Sequence, residues 1–347
     1  MSALILCYHN VNYSKRINPE NFEKNLIALK SNGFKPIRLQ EIYDYIARSE
    51  NPPKKSVHIT FDDGYADNFI YAYPLLKKYG FFATIFLVVN KVVNGMKRAT
   101  YEELLSLNMT NKIDEFLKKS RYVSWDEVRE MSNSGIFEIG SHSLNHSACF
   151  SSKTPRKFSN SAVYEWFYEL TNDKRLGVPI YEKKWNCAVN CVKDDVNLRN
   201  HMASFVSKKG GIIFFKNHSA QRILLKEYNK YLKTHTVNFE VENENIRMKR
   251  AKLEIEDSKK IIQDKIGKDV DFFCYPWGDY DKISVETVKQ AGYKGALTLN
   301  IGLNGKKTDP FLMNRVEVRS GKWLEKRLKI YKSRSLSFIY SKVYRKI

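Results

Sequence analysis

Hydrophobic positions along the chain fall into short apolar runs separated by segments with helical spacing. "ALILCYHNV" (3–11) is apolar at consecutive positions, as a strand covered on both faces is. In "NPENFEKNLIALKSNGF" (18–34), Phe22, Leu26 and Leu29 recur every three or four residues, which predicts one buried helix face. Asn18 followed by Pro19 is a helix start, and Asn32-Gly33 is a stop. "VHITF" (57–61) is the next strand, followed by a helix over 67–79 that ends at Gly80. "FFATIFLVV" (81–89) is again apolar throughout, "SWDEVREMSNSG" (124–135) is a capped helix, and "IFEIGSHS" (136–143) is a strand. "VDFFCYPWG" (270–278) and "YKGALTL" (293–299) add two strands around a helix at 282–291. Such alternation predicts an α/β architecture with parallel strands, as a barrel or a doubly wound sheet.

Two regions break the rhythm. Residues 90–121 are rich in Lys, Asn and Leu. Residues 150–245 form a longer insertion, with "GGIIFF" (210–215) read as a strand and several helices containing Tyr and Trp.

Composition narrows the picture. The 347 residues, 43% hydrophobic and 13% aromatic, can bury one large core or two ordinary ones. A net charge of +21 calls for an anionic partner: nucleic acid, acidic glycan or anionic lipid. Nucleic acid is not expected, because the bases are spread along the chain and no DNA- or RNA-binding motif accompanies them. The start, "MSALILCYHNV", reads as a first strand and not as a signal peptide, and no apolar run of about 18 residues predicts a spanning helix. Five scattered cysteines (Cys7, Cys149, Cys187, Cys191, Cys274) suggest reduced thiols and a cytoplasmic protein. The end of the chain, 326–347, has eight basic residues and no acidic one. Leu336, Phe338, Ile339, Tyr340, Val343 and Tyr344 interleave with the bases. As a helix it is basic and amphipathic, suited to an anionic membrane surface at the inner face, or else a solvated terminal helix.

The chemistry lies at strand ends. "VHITF" runs into Asp62, Asp63 and Gly64, and "IFEIG" runs into His142 and His146. On a helical turn, residues i and i+4 share a face, so both imidazoles can meet one divalent ion together with a carboxylate. If Asp63 ligates the cation, Asp62 is left free as a base. Asp-Asp-Gly alone is commonly just a turn. The pair of motifs, each ending a strand, is harder to explain that way. Cys187, Cys191 and His201 form a weaker alternative metal set, and His218 is read as a loop residue.

"TFDDGYADN", "SHSLNH" and "FFCYPWGDYD", in that order, resemble the metal-dependent polysaccharide deacetylases, the NodB-type domain of carbohydrate esterase family 4. The likeness covers about residues 1–149 and 246–320. It implies a distorted (β/α)7 barrel over 1–325 carrying the two insertions, with 326–347 as a tail. The implied reaction is metal-dependent removal of N-acetyl groups from an amino-sugar glycan, polymeric or lipid-linked. By this resemblance Asp63, His142 and His146 are metal ligands and Asp62 is the catalytic base. Zn²⁺ is the default ion, with Co²⁺, Ni²⁺ and Mn²⁺ as alternatives. Tyr275, Pro276 and Trp277 would contact substrate, with the Tyr275 N–H as an oxyanion donor and Trp277 stacked on a sugar ring.

Two departures stand out. The arginine that orients the base in the family's third motif is matched here by Cys274, and Arg315 is a candidate replacement. The late histidine that serves as general acid is absent, since His235 is the last in the chain. A subset similar to the poly-N-acetylglucosamine enzymes opens with Tyr-His instead, as "LCYHNV" does, which makes His9 the expected acid. A glycan-binding protein with little or no turnover is the competing reading.

Overall fold

The computed structural model describes residues 2–48, 54–160, 167 and 170–344, and the chain divides into two compact units. One is Met1–His146 with Lys252–Ile347; the other is Ser147–Ala251.

The first unit is built on parallel strands: β1 (Ala3–Tyr8), β2 (Lys35–Pro36), β3 (Ser56–Phe61), β4 (Ala83–Leu87), β5 (Phe137–Ser141), β6 (Phe272–Cys274), β7 (Gly295–Leu297) and β8 (Val316–Glu317). Their order is β7-β6-β5-β4-β3-β1-β8, with β2 beside β3. A parallel bridge between Leu297 and Met313 ties the approach to β8 back to β7, so the seven-strand sheet curls toward closure. The apolar runs follow from this: every residue of β1, β3 and β4 is buried, because helices cover the outside and side chains fill the inside. Gly140 in β5 leaves room for the Phe86 ring, which a Cβ would meet at 2.4 Å.

The helices keep the expected ends. Asn18 caps Pro19–Ser31 by accepting from the Asn21 N–H at 2.8 Å, and Phe22, Leu26 and Leu29 are buried. The segment 68–79 opens as a π-helical turn and ends at Gly80 with φ 67°. Ser124 and Glu127 form a reciprocal capping box on Trp125–Asn133. Two helices close the unit, Gly321–Tyr331 and Arg334–Tyr344. The first buries Leu324, Leu328 and Tyr331 and packs on Pro19–Ser31. The second buries Ser337 and leaves Leu336, Phe338, Ile339 and Val343 more than half exposed. Among the described residues no helix is long and apolar enough to cross a membrane. Residues 345–347 of the basic tail lie outside the described residues, as do Tyr164 and Trp166, two of the aromatic positions expected to be helical.

The second unit has its own core, including Phe150, Phe158, Ile180, Met202, Leu224 and Tyr228. A four-stranded antiparallel sheet runs in the order Glu240–Val241, Val192–Lys193, Ala148–Phe150, Lys183–Trp185. Helices Val196–Lys208 and Ala220–Thr234 pack on each other beside it. Two expectations are corrected here. "GGIIFF" is a 3₁₀ segment (Gly211–Lys216): Gly210 and Gly211 both hold positive φ, and Ile212 and Ile213 are exposed, so nothing pairs it into a sheet. The thiols are not all reduced: Cys149 and Cys191 form a disulfide, leaving Cys7, Cys187 and Cys274 as buried thiols. That also removes Cys191 from the alternative Cys187–Cys191–His201 metal set.

Candidate metal and catalytic site

The strand register gathers the chemistry on one rim. Tyr8 pairs with Phe61, Leu87 with Ser141, and Cys274 with Leu297, so His9, Asp62, His142 and Tyr275 leave the sheet at one level. The Asp62 N–H donates to the Tyr8 carbonyl at 3.0 Å, and the His142 N–H to the Leu87 carbonyl at 2.8 Å, extending both ladders by one residue.

Beyond that point the backbone turns sharply. Asp63 (φ 72°) and Gly64 (φ 74°) are consecutive left-handed residues, and Ser143 (70°), His146 (55°) and Trp277 (55°) share that conformation. Non-glycine residues pay about 1 kcal/mol or more for it, and such strain gathers where function over-determines the backbone. His142 and His146 are therefore not on a helical turn, as their spacing suggests. The Ser143 hydroxyl accepts from the His146 N–H at 2.9 Å and folds the segment into a tight loop with both rings on one side. The ring centroids are 4.8 Å apart.

Both Nε2 atoms face Asp63 Oδ1, at 3.7 Å from His142 and 3.6 Å from His146. Ligand bonds of 2.0–2.2 Å put donor atoms roughly 3–4 Å apart around one ion, so the three atoms fit a divalent cation. The His142 Nδ1–H donates to the Cys274 carbonyl at 2.8 Å, which leaves the Nε2 lone pair directed at the carboxylate, the usual arrangement of a ligating histidine. Burial also lowers the His142 pKa and keeps the ring neutral.

Asp62 is 2% exposed and held from several sides. Arg315, wholly buried, donates from Nη1 to Oδ1 at 2.7 Å and from Nη2 to Oδ2 at 2.8 Å. Its remaining N–H groups reach the Thr298 carbonyl (2.9 Å), the Thr60 hydroxyl (3.2 Å) and Cys274 Sγ (2.9 Å). The thiols of Cys7 (3.5 Å) and Cys274 (3.6 Å) donate to Asp62 Oδ2. Burial alone would raise the Asp62 pKa; the Arg315 charge, then His142, the paired hydrogen bonds and His9 override it and hold the carboxyl well below the usual range. Asp62, His142 and Cys274 also lie close enough to share an ion. That niche already contains a guanidinium, which repels a second cation, so the Asp63–His142–His146 set is the one left for a metal.

The third motif divides. Trp277 is 36% exposed, its ring 4.1 Å from that of His146. Tyr275 is fully buried against Phe273 and Tyr280, and its N–H donates to the Leu297 carbonyl at 3.1 Å. The expectation that this N–H serves as an oxyanion donor is thereby corrected: the sheet ladder has already claimed it. Pro276 is buried too, so neither Tyr275 nor Pro276 offers a side-chain surface to substrate. His9 is half-buried, its carbonyl accepting from Asn68 Nδ2 at 2.9 Å. His58 lies fully buried inside the barrel, bonded to Ile37 and Thr84. Cys7, in the sequence only one of five scattered thiols, and Thr60 join the Asp62–Arg315 cluster. Strand periodicity points to both, since residues 7 and 9, like 60 and 62, share a face.

The polysaccharide deacetylase family model matches residues 49–166 and 208–296, more than half of the chain. A Bacillus subtilis polysaccharide deacetylase homologue, YxkH, is 33% identical over 144 residues, which span 41% of this chain and 42% of that protein. The chain thus spans about two fifths of that relative's length. The poly-beta-1,6-N-acetyl-D-glucosamine N-deacetylase of Staphylococcus aureus is 29% identical over 224 residues, covering 51% of this chain and 68% of that protein. A solved de-N-acetylase from Aggregatibacter actinomycetemcomitans superposes with a TM-score of 0.56 at 19% identity, over 91% of this chain and 94% of that one, and so shares the fold. With the family match running through all three strand-end motifs, the chain belongs to the polysaccharide deacetylase family.

Proposed function

We propose that the protein is a metal-dependent hydrolase that removes N-acetyl groups from an amino-sugar glycan. The observation that carries this is the pairing of two neighbouring carboxylates with opposite fates: Asp63 faces two imidazole Nε2 atoms at 3.6–3.7 Å, and Asp62 is clamped by a buried arginine. A divalent ion held by Asp63, His142 and His146 would supply Lewis acidity toward the amide carbonyl and the attacking water, with Zn²⁺ the first choice for a one-carboxylate, two-imidazole set. Asp62, ionised and fixed in direction, accepts the proton of that water. His9, which leaves β1 at the level where Asp62 leaves β3, protonates the departing amine. Trp277 offers a ring face to the sugar beside the ligand His146. The named Staphylococcus relative supports an N-acetylglucosamine polymer as substrate. The Cys149–Cys191 disulfide supports action in an oxidising compartment and weakens the cytoplasmic reading that scattered thiols had suggested.

The test starts from metal-stripped protein titrated with Zn²⁺ by calorimetry, beside Asp63→Ala and His142→Ala. One site, lost in both variants, is expected; binding indifferent to both substitutions would overturn the assignment. Acetate release from N-acetylglucosamine oligomers should then fall about 10²–10⁴-fold in Asp62→Asn. Arg315→Gln should keep the metal and lose rate. Metal binding with no acetate release from any N-acetylated glycan would favour a protein that holds glycans without cleaving them.

A further inference from the structure

Beside the reactive rim, and within the same unit, lies a cavity of about 430 Å³ that the chemistry above does not use. It opens between Asn10, the neighbour of His9, and Tyr65, two residues beyond Asp63. Its size is that of a small-molecule site. Tyr65 and Tyr71 give it aromatic walls, and Lys15, Lys118 and Arg121 stand around it. The Tyr65 ring stacks on Tyr122 at 5.3 Å, and the Arg121 guanidinium flanks the pair, 5.6 Å from the Tyr65 centroid and 6.0 Å from that of Tyr122. Lys91 Nζ lies 5.8 Å from the Tyr122 ring centroid. Lys15, Lys118 and Arg121 are exposed, and none is ion-paired among the described residues.

Two carboxylates also line the cavity. Asp67 is 2% exposed and turned inward, accepting from Asn10 Nδ2 (3.0 Å), the Val11 N–H (3.3 Å) and Asn68 Nδ2 (3.1 Å). It braces the loop that carries His9 and presents no oxygen for an incoming ligand. Asp114 is exposed on the same lining as the three cations. The cavity is thus an aromatic-walled pocket with a positive rim, in a chain of net charge +21. Tyrosine faces suit the apolar side of a pyranose ring, and cations at the edge suit carboxylate or phosphate substituents on it.

Resting on the deacetylase reading of the adjacent site, we propose that this cavity binds the neighbouring sugar of an acidic glycan, so that the enzyme's substrate is an N-acetylated polysaccharide carrying anionic groups. The rim selects the chain by charge, and Tyr65 sets it in register with the metal ligands.

The decisive experiment measures binding to the full-length Asp62→Asn protein, loaded with Zn²⁺. The probes are an alternating uronate–N-acetylglucosamine oligosaccharide, an uncharged N-acetylglucosamine oligomer of equal length, and a single-stranded oligonucleotide. The acidic oligosaccharide should bind about tenfold more tightly than the neutral one, with the advantage shrinking as salt rises. Lys118→Glu and Lys15→Glu should each erase most of that advantage, and Asp114→Asn should enlarge it. Equal affinity for both sugars, affinities unmoved by these substitutions, or tighter binding of the oligonucleotide would each overturn the proposal. Acetate release by the unsubstituted enzyme separates the two readings. Selective binding of the acidic chain without turnover upholds the pocket and sinks the deacetylase. Equal turnover of acidic and neutral chains does the reverse.

Discussion

His58 and Asp67 lie in the same unit and oppose each other in pH dependence. His58 is buried with Nδ1–H on the Ile37 carbonyl and Nε2 against the Thr84 hydroxyl; burial lowers its pKa to about 4. A lowered histidine stabilises the fold above about pH 6.5, and that contribution disappears as pH falls toward 4. Burial raises Asp67 to about 6, so its contribution is complete at low pH and disappears as pH rises through 6. Between pH 4 and 6 the slopes cancel in part. Relative to the parent, denaturant titrations of His58→Gln should show a slope of stability against pH shifted downward across this window, and those of Asp67→Asn a slope shifted upward. The His58 part amounts to about 3 kcal/mol over the window. A parental slope in both variants would remove this account. Of the two, His58 in an apolar strand reads as packing beside the site, as it is, whereas no pattern in the sequence marks Asp67. The acidic pair and the two histidines were legible because their types and strand-end positions together have few other uses. Arg315 was nearly invisible, since its bond to Asp62 joins positions 253 apart. Tyr275 was misjudged because a strand-end N–H counts as a free donor only until the next strand is placed.

Strands and helices of the barrel were readable because burial on both faces writes continuous apolar runs and capping writes its own residues. Loops with left-handed residues were not. The spacing of His142 and His146 suits a helix, yet Ser143 and His146 take positive φ and reach the same convergence by another route. In the inserted unit the strands are two or three residues long, too short for any period to emerge. What ties two of them together is covalent: the disulfide joins the strand at Cys149 to the chain at Cys191, next to its partner strand, 42 residues on. Closing a loop of that length is worth about 2–5 kcal/mol. Reduction, or Cys149→Ser, should therefore lower the unfolding midpoint of the inserted unit, followed through its tryptophans. A midpoint unchanged by reductant would show that this bond contributes nothing.

Eight of the molecule's net +21 charges sit in its last 22 residues. The final helix, Arg334–Tyr344, turns small Ser337 inward and Leu336, Phe338, Ile339 and Val343 outward, the reverse of what a helix docked on a protein core does. With eight basic and no acidic residues over 326–347, we propose a peripheral contact with an anionic bilayer. Co-sedimentation with vesicles containing phosphatidylglycerol should exceed that with phosphatidylcholine alone, and Phe338→Ser with Ile339→Ser should abolish the difference. Equal sedimentation with both lipids would leave the helix a solvated end.

The clamp on Asp62 also has a meaning in time. The base and the three ligand positions have all been translated by residue 146, but the guanidinium that aims the base belongs to residue 315, just ahead of β8 at the seam of the sheet. A chain still emerging from the ribosome passes most of its synthesis with the acidic pair made and the clamp missing. Until residue 315 has been made and β8 has taken its place, Asp62 lacks the two-pronged partner that fixes its direction.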